Sequence, residues 1–162
     1  MARLERLAFL AGLVLLAGAC HGKEAAPPAG GGAAGGGAPA AEAGGAELTP
    51  FQLENGIGPI TSPVTLGPLD QAMAKQGEAL FTAKCSACHK MTEKYVGPPL
   101  GDVTKRLPAA FIMNQVLNPE GMYTKHPAVR QLLAEYMTQM PNLQLTQDQA
   151  RQIVEYLRTQ AK

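Results

Sequence analysis

Cys85-Ser86-Ala87-Cys88-His89 is the stretch on which the reading of the whole chain depends. It sets two thiols three positions apart and puts an imidazole directly behind the second. Upstream, Met73, Gly77, Leu80, Phe81 and Lys84 recur at helical spacing behind Asp70, a residue suited to cap a helix. This predicts a helix over about 70–84 whose C-terminal end delivers the cysteines.

Three chemistries can use such a stretch. A zinc site needs a fourth ligand, and His126 is the only other histidine from Asp70 onward. A dithiol redox pair of the thioredoxin kind needs a βαβ context, and no stretch alternates convincingly as a strand. The third is covalent haem attachment, which uses every member of the stretch. The two thiols add to the two vinyl groups on one side of a porphyrin, and the next residue is held under the metal. The predicted cofactor is therefore one covalently bound haem c, with Cys85 and Cys88 as attachment points and His89 as proximal metal ligand. One haem would also help fill a thin core, since the chain has no Trp, 4 Phe and 4 Tyr.

Downstream, residues 90–107 read as loop, with Gly97-Pro98-Pro99 as a breaker. Pro108 opens a second helix that runs to about Asn118, before Pro119, with Phe111, Ile112, Gln115 and Val116 as its stripe. Pro127 opens a third, with Val129, Leu132, Leu133, Tyr136 and Met137 on one side. Met140-Pro141-Asn142 breaks the chain again. Thr146 with Gln149 resembles a capping box for a last helix, whose apolar positions are Ala150, Ile153, Val154 and Leu157. The fold class is all-α, with about four helices around the cofactor. Its walls are expected from Phe81, Val96, Leu100, Phe111, Ile112, Val116, Leu132, Leu133 and Leu143.

Residues 70–162 resemble a class I cytochrome c. Gly77 and Phe81 precede Cys85 by eight and four residues, as in that family, and Tyr156 stands where the family packs an aromatic of its C-terminal helix against that face. Gly97-Pro98-Pro99-Leu100 is similar to the family's Gly-Pro-x-Leu loop. The resemblance implies that the Pro98 carbonyl accepts a hydrogen bond from His89 Nδ1–H and so orients the ligand. Met140, 51 residues after His89 and followed by Pro141, lies in the setting where the family places its sixth ligand. Met122, Met137 and His126 remain alternatives for that position. With both axial positions filled, the resemblance implies single-electron transfer through Fe(II)/Fe(III) cycling. The protein is then not an enzyme and takes no small-molecule substrate. The alternatives are a haem-bearing subunit of a larger oxidoreductase, or a haem enzyme or gas sensor with a labile sixth ligand.

The N-terminal part reads as address and anchor. Residues 1–19 combine a basic start with the apolar run Leu7 to Ala17, the pattern of a signal peptide. Leu16-Ala17-Gly18-Ala19-Cys20 resembles the bacterial lipobox, although Ala17 stands where that motif prefers Leu. Cys20 is expected to carry lipid and hold the protein on a membrane. Residues 20–47 form a Gly/Ala/Pro tether that cannot bury a core and spans about 30 Å as a random coil. Residues 48–69 are read as an extended arm, and 70–162 as the domain. The expected location is the bacterial periplasm or cell envelope.

The net charge of +1 carries no basic surplus of the kind a nucleic-acid binder shows. From Asp70 onward there are 11 Lys/Arg against 8 Asp/Glu, and Lys84, Lys90, Lys94, Lys105 and Arg106 lie near the motif. They form either a solvated face or a docking surface for an acidic redox partner. The whole pattern, with the arm motifs Gly56-Ile57-Gly58-Pro59 and Leu66-Gly67-Pro68, is similar to monohaem lipoprotein cytochromes found alongside nitrous-oxide reductase systems.

Overall fold

Asp70 caps its helix as its position predicts: Oδ1 accepts from Met73 N–H at 3.0 Å. In the computed structural model, which describes residues 47–162, this opens α2 (Gln71–Lys84). The expected signal peptide (1–19) and all but the last residue of the expected tether (20–47), Cys20 included, lie outside the described residues. The last helix, α7 (Gln147–Gln160), starts on a complete capping box. Thr146 Oγ1 accepts from Gln149 N–H at 3.2 Å, and Gln149 Oε1 accepts from Thr146 N–H at 3.0 Å. Its apolar stripe is among the best-buried parts of the described residues: Ala150, Ile153, Val154 and Leu157 are all 2% exposed or less.

These two helices cross at Gly77. A Cβ there would collide with the Gln152 carbonyl and stand 2.9 Å from Tyr156 Cβ, so only glycine permits the approach. One turn on, Phe81 lies against Tyr156 with ring centroids 5.3 Å apart and planes at 47°. The contact is a tilted aromatic pair, which adds to the simple burial of both rings.

The two middle helices are α4 (Ala109–Leu117) and α6 (Pro127–Tyr136). They lie where the prolines predict them. Three short helices are additional: α1 (Pro50–Asn55), α3 (Val103–Arg106) and α5 (Pro119–Lys125). All described helices together form an all-α fold, and the described residues hold no strand.

The additions correct three expectations. The arm is not wholly extended, because Thr49 and Gln52 form a capping box that, with Pro50 at the first position, nucleates α1. The 90–107 segment is not all loop, since four residues after Asp102 complete one turn. Pro119 breaks one helix and starts another. Asn118 ends α4 and caps α5 with Oδ1 accepting from Gly121 N–H at 3.2 Å, and Pro119 needs no donor at a first helical position. A fourth correction concerns Met137. It does not continue the stripe of α6 but terminates that helix in the left-handed region (φ 52°, ψ 25°) with 84% of its surface exposed.

Polar groups sew the arm to the helices. Asn114 on α4 is fully buried, accepts from Ile60 N–H at 2.9 Å, and donates to the carbonyls of Asn55 at 2.9 Å and Ile60 at 3.0 Å. Asn118 Nδ2 donates to the Ile57 carbonyl at 3.0 Å, and the Ile57 N–H donates to Met122 Sδ at 3.0 Å. His126 Nε2 bonds the Leu53 carbonyl at 3.0 Å while its ring meets Phe111 edge-on at 5.1 Å. Farther along, Glu155 is fully buried on α7 and pairs with Arg151 at 2.6 Å and Arg158 at 2.7 Å. Arg158 in turn donates to the Gly67 carbonyl at 2.9 Å.

Candidate functional site

The α2 helix ends on the motif. Cys85 N–H donates to the Phe81 carbonyl at 2.8 Å, and the Cys88 and His89 N–H groups both donate to the Cys85 carbonyl, at 3.0 and 2.9 Å. The two cysteines thus sit on one tight turn. Both are free thiols: Cys85 is buried and Cys88 half-buried.

The Gly97-Pro98 loop is tied to that turn at two points. Gly97 N–H donates to the Cys88 carbonyl at 2.9 Å. His89 Nδ1 lies 2.9 Å from the Pro98 carbonyl. A carbonyl only accepts, so Nδ1 carries the proton and Nε2 keeps its lone pair. A hydrogen bond of this kind fixes ring orientation and makes the free nitrogen more basic.

Cys85, Cys88, His89 and Met140 all line a single open cleft whose atom-free space is about 1410 Å³, its mouth included. Its wall includes all nine of the apolar residues expected from the sequence, from Phe81 to Leu143. Val103, Leu107, Val129, Ile153 and Leu157 add to it, with Tyr123 and Tyr136. Lys84, Arg106 and Gln115 contribute polar groups. Met140 Sδ is held by Gln115 Nε2 at 3.6 Å.

The alternatives for the sixth position do not share this cleft. Met122 is fully buried elsewhere and its sulfur accepts from Ile57. Met137 is exposed to solvent and does not line the cleft. His126 is buried against Phe111 and bonds Leu53 outside the lining. Its placement also removes the fourth ligand of a zinc site, and no group of three His, Cys, Asp or Glu among the described residues is arranged to hold a metal.

Burial pushes the Cys85 thiol up, nearby Cys88 pushes it the same way, and Lys84 opposes both. A donor set of two unpaired thiols, one oriented imidazole and one thioether in an apolar cleft fits a covalently attached tetrapyrrole. Gln115, Tyr123 and Tyr136 escaped the sequence reading of this wall. Gln115 stood in the predicted stripe of α4 and its polarity was the available signal.

Comparison with known proteins agrees. The cytochrome c family model matches residues 74–161. A cytochrome c from Rhodothermus marinus is 48% identical, with a TM-score of 0.65, over 70% of this chain and 97% of that one. An engineered cytochrome c from the same organism, bound to a carbene intermediate, is 47% identical with a TM-score of 0.62, over 70% and 98% of the two chains. No curated protein sequence matches the chain. With its all-α fold, its motif at the end of α2 and its cleft, the chain belongs to the cytochrome c family, whose members carry electrons on a covalently bound haem c.

Proposed function

We propose that this protein is a membrane-tethered monohaem carrier that passes single electrons between respiratory redox proteins. The observation that carries the reading is the convergence of Cys85, Cys88, His89 and Met140 on one apolar cleft, with His89 Nδ1 tied to Pro98. Cys85 and Cys88 would hold the haem through thioethers, and His89 and Met140 would hold its iron. When bound, the haem supplies a metal that gains and loses one electron without binding substrate.

The chain's own residues do the rest. Pro98 holds the His89 proton at Nδ1 and keeps Nε2 available. The apolar wall excludes water, which keeps the change in solvation between oxidation states small. The surface around the motif is less cationic than its sequence suggests. Lys94 pairs with Glu135 at 2.8 Å and lies over the Tyr136 ring. Lys105 faces Asp102 at 3.8 Å, and Lys90 lies over Tyr95. A ring face cancels no charge, so Lys84, Lys90 and Arg106 have no carboxylate partner among the described residues, and Lys84 and Arg106, both at the cleft, are the ones best placed to steer an acidic partner.

Lipid on Cys20 would confine this head to a membrane surface on the outer side of the cell's inner compartment. No helix among the described residues is long and apolar enough to cross a membrane. Two measurements test the reading in cells expressing the full chain. Cys20→Ser should move the haem-stained protein from the washed membrane fraction to the soluble fraction. Met140→Ala should abolish the weak far-red charge-transfer band of Met–iron ligation in the ferric protein. A soluble wild type would sink the anchor, and an unchanged band would sink the ligand assignment.

A further inference from the structure

Gln115 is out of character for its place. It sits in the stripe of α4 between the buried residues Ile112 and Val116, and it lines the cleft with them. A carboxamide facing an apolar wall is costly unless its hydrogen bonds are made. Yet Gln115 Oε1 is buried with no partner, and the only bond its Nε2 makes among the described residues is to Met140 Sδ, at 3.6 Å. The opposite amide orientation would turn carbonyl lone pairs onto sulfur lone pairs and lose that bond as well. The sulfur therefore faces the N–H, and the side chain gives up one acceptor to keep it there.

We infer that Gln115 is a positioning residue for the Met140 thioether. A thioether sulfur has two lone pairs. The Gln115 N–H engages one of them, which fixes the rotation of the Met140 side chain and leaves the second lone pair as the free donor. The bond also draws electron density from sulfur. Met140 becomes a weaker donor to an oxidised metal than it would be in a wholly apolar wall, and the reduced state is favoured. The inference rests on the reading of Met140 as sixth ligand.

The test uses ferric and ferrous holoprotein with Gln115→Leu and Gln115→Ile, both apolar, of similar size and without a group that could bind the metal. Exogenous imidazole is titrated against the ferric protein, where it competes with Met140, and reduction potential and thermal midpoint are measured alongside. Loss of the bond leaves Met140 the stronger donor to ferric iron, so imidazole should bind the ferric variants on the order of tenfold more weakly. The potential should fall in both variants, even where removing the buried unpaired carbonyl leaves the thermal midpoint unchanged or higher. Unchanged imidazole affinity and potential in both variants, with the far-red band still lost in Met140→Ala, would overturn the role of Gln115 alone. A far-red band that survives in Met140→Ala would overturn the ligand assignment and this inference with it.

Discussion

Gly97 and His89 are in such close contact that a Cβ on Gly97 would stand 2.5 Å from His89 Cε1 and 2.9 Å from Nδ1. The glycine is there for space rather than for backbone freedom, since Gly56 is the one described glycine with a positive φ. Its absent side chain lets the loop press the Pro98 carbonyl onto the imidazole.

Gly97→Ala should therefore act through His89. The ring must tilt away from the loop, the 2.9 Å bond to Pro98 must lengthen, and overpacking should cost about 1–3 kcal/mol. A weaker bond at Nδ1 makes Nε2 less basic, so an oxidised iron loses support and the reduction potential should rise. Voltammetry of the holoprotein checks the sign. A lower or unchanged potential would mean that the ring does not depend on this loop.

Asn114 offers a test of the arm. Its side chain makes the buried bonds to Asn55 and Ile60, so Asn114→Leu strands arm donors and acceptors in an apolar setting. The expected cost is about 3 kcal/mol or more. The loss should be local first, with limited proteolysis cutting between Asn55 and Leu66 before the haem-bearing helices open. Wild-type resistance in that segment would show that the arm stays in place by other contacts.

Met137 should be improvable. It holds a left-handed backbone at the end of α6, where a residue with Cβ is strained by about 1–2 kcal/mol, and its side chain is exposed. Met137→Gly removes that strain and loses part of the gain to unfolded-chain entropy. A net stabilisation of about 0.5–1 kcal/mol should appear as a rise of a few degrees in thermal midpoint. A lower midpoint would mean that the thioether packs usefully in solution.

Local chemistry explains which parts of this molecule were readable. Asp70, Thr146 and Gln149 announce helix ends by their own side chains, and the period of Ala150, Ile153, Val154 and Leu157 leaves one helical face to bury. Gly77 against Tyr156 was readable through resemblance, because nothing between them in sequence says that α2 and α7 meet. The short helices were harder. A four-residue turn such as Val103–Arg106 has too few positions for a period, and Pro119 looks like a stop until Asn118 is seen to cap α5. Asn114 and Gln115 were hardest to value. In sequence they are two polar residues in a helix. In space one holds the arm and its neighbour holds Met140, and only long-range contacts separate those roles.

The stitching of the arm has a mechanical consequence. A pull applied at Glu47 does not reach α2 directly. It loads α1 first, where His126 grips Leu53, and then the Asn114 bonds at Asn55 and Ile60. Next in line are Arg158 on the Gly67 carbonyl at 2.9 Å and Glu155 on the Asp70 N–H at 3.4 Å. The arm is thus a series of fuses that give way in chain order, each dissipating tension before it arrives at Cys85. A head tugged at its N-terminal end unzips its arm while the residues around the iron stay slack.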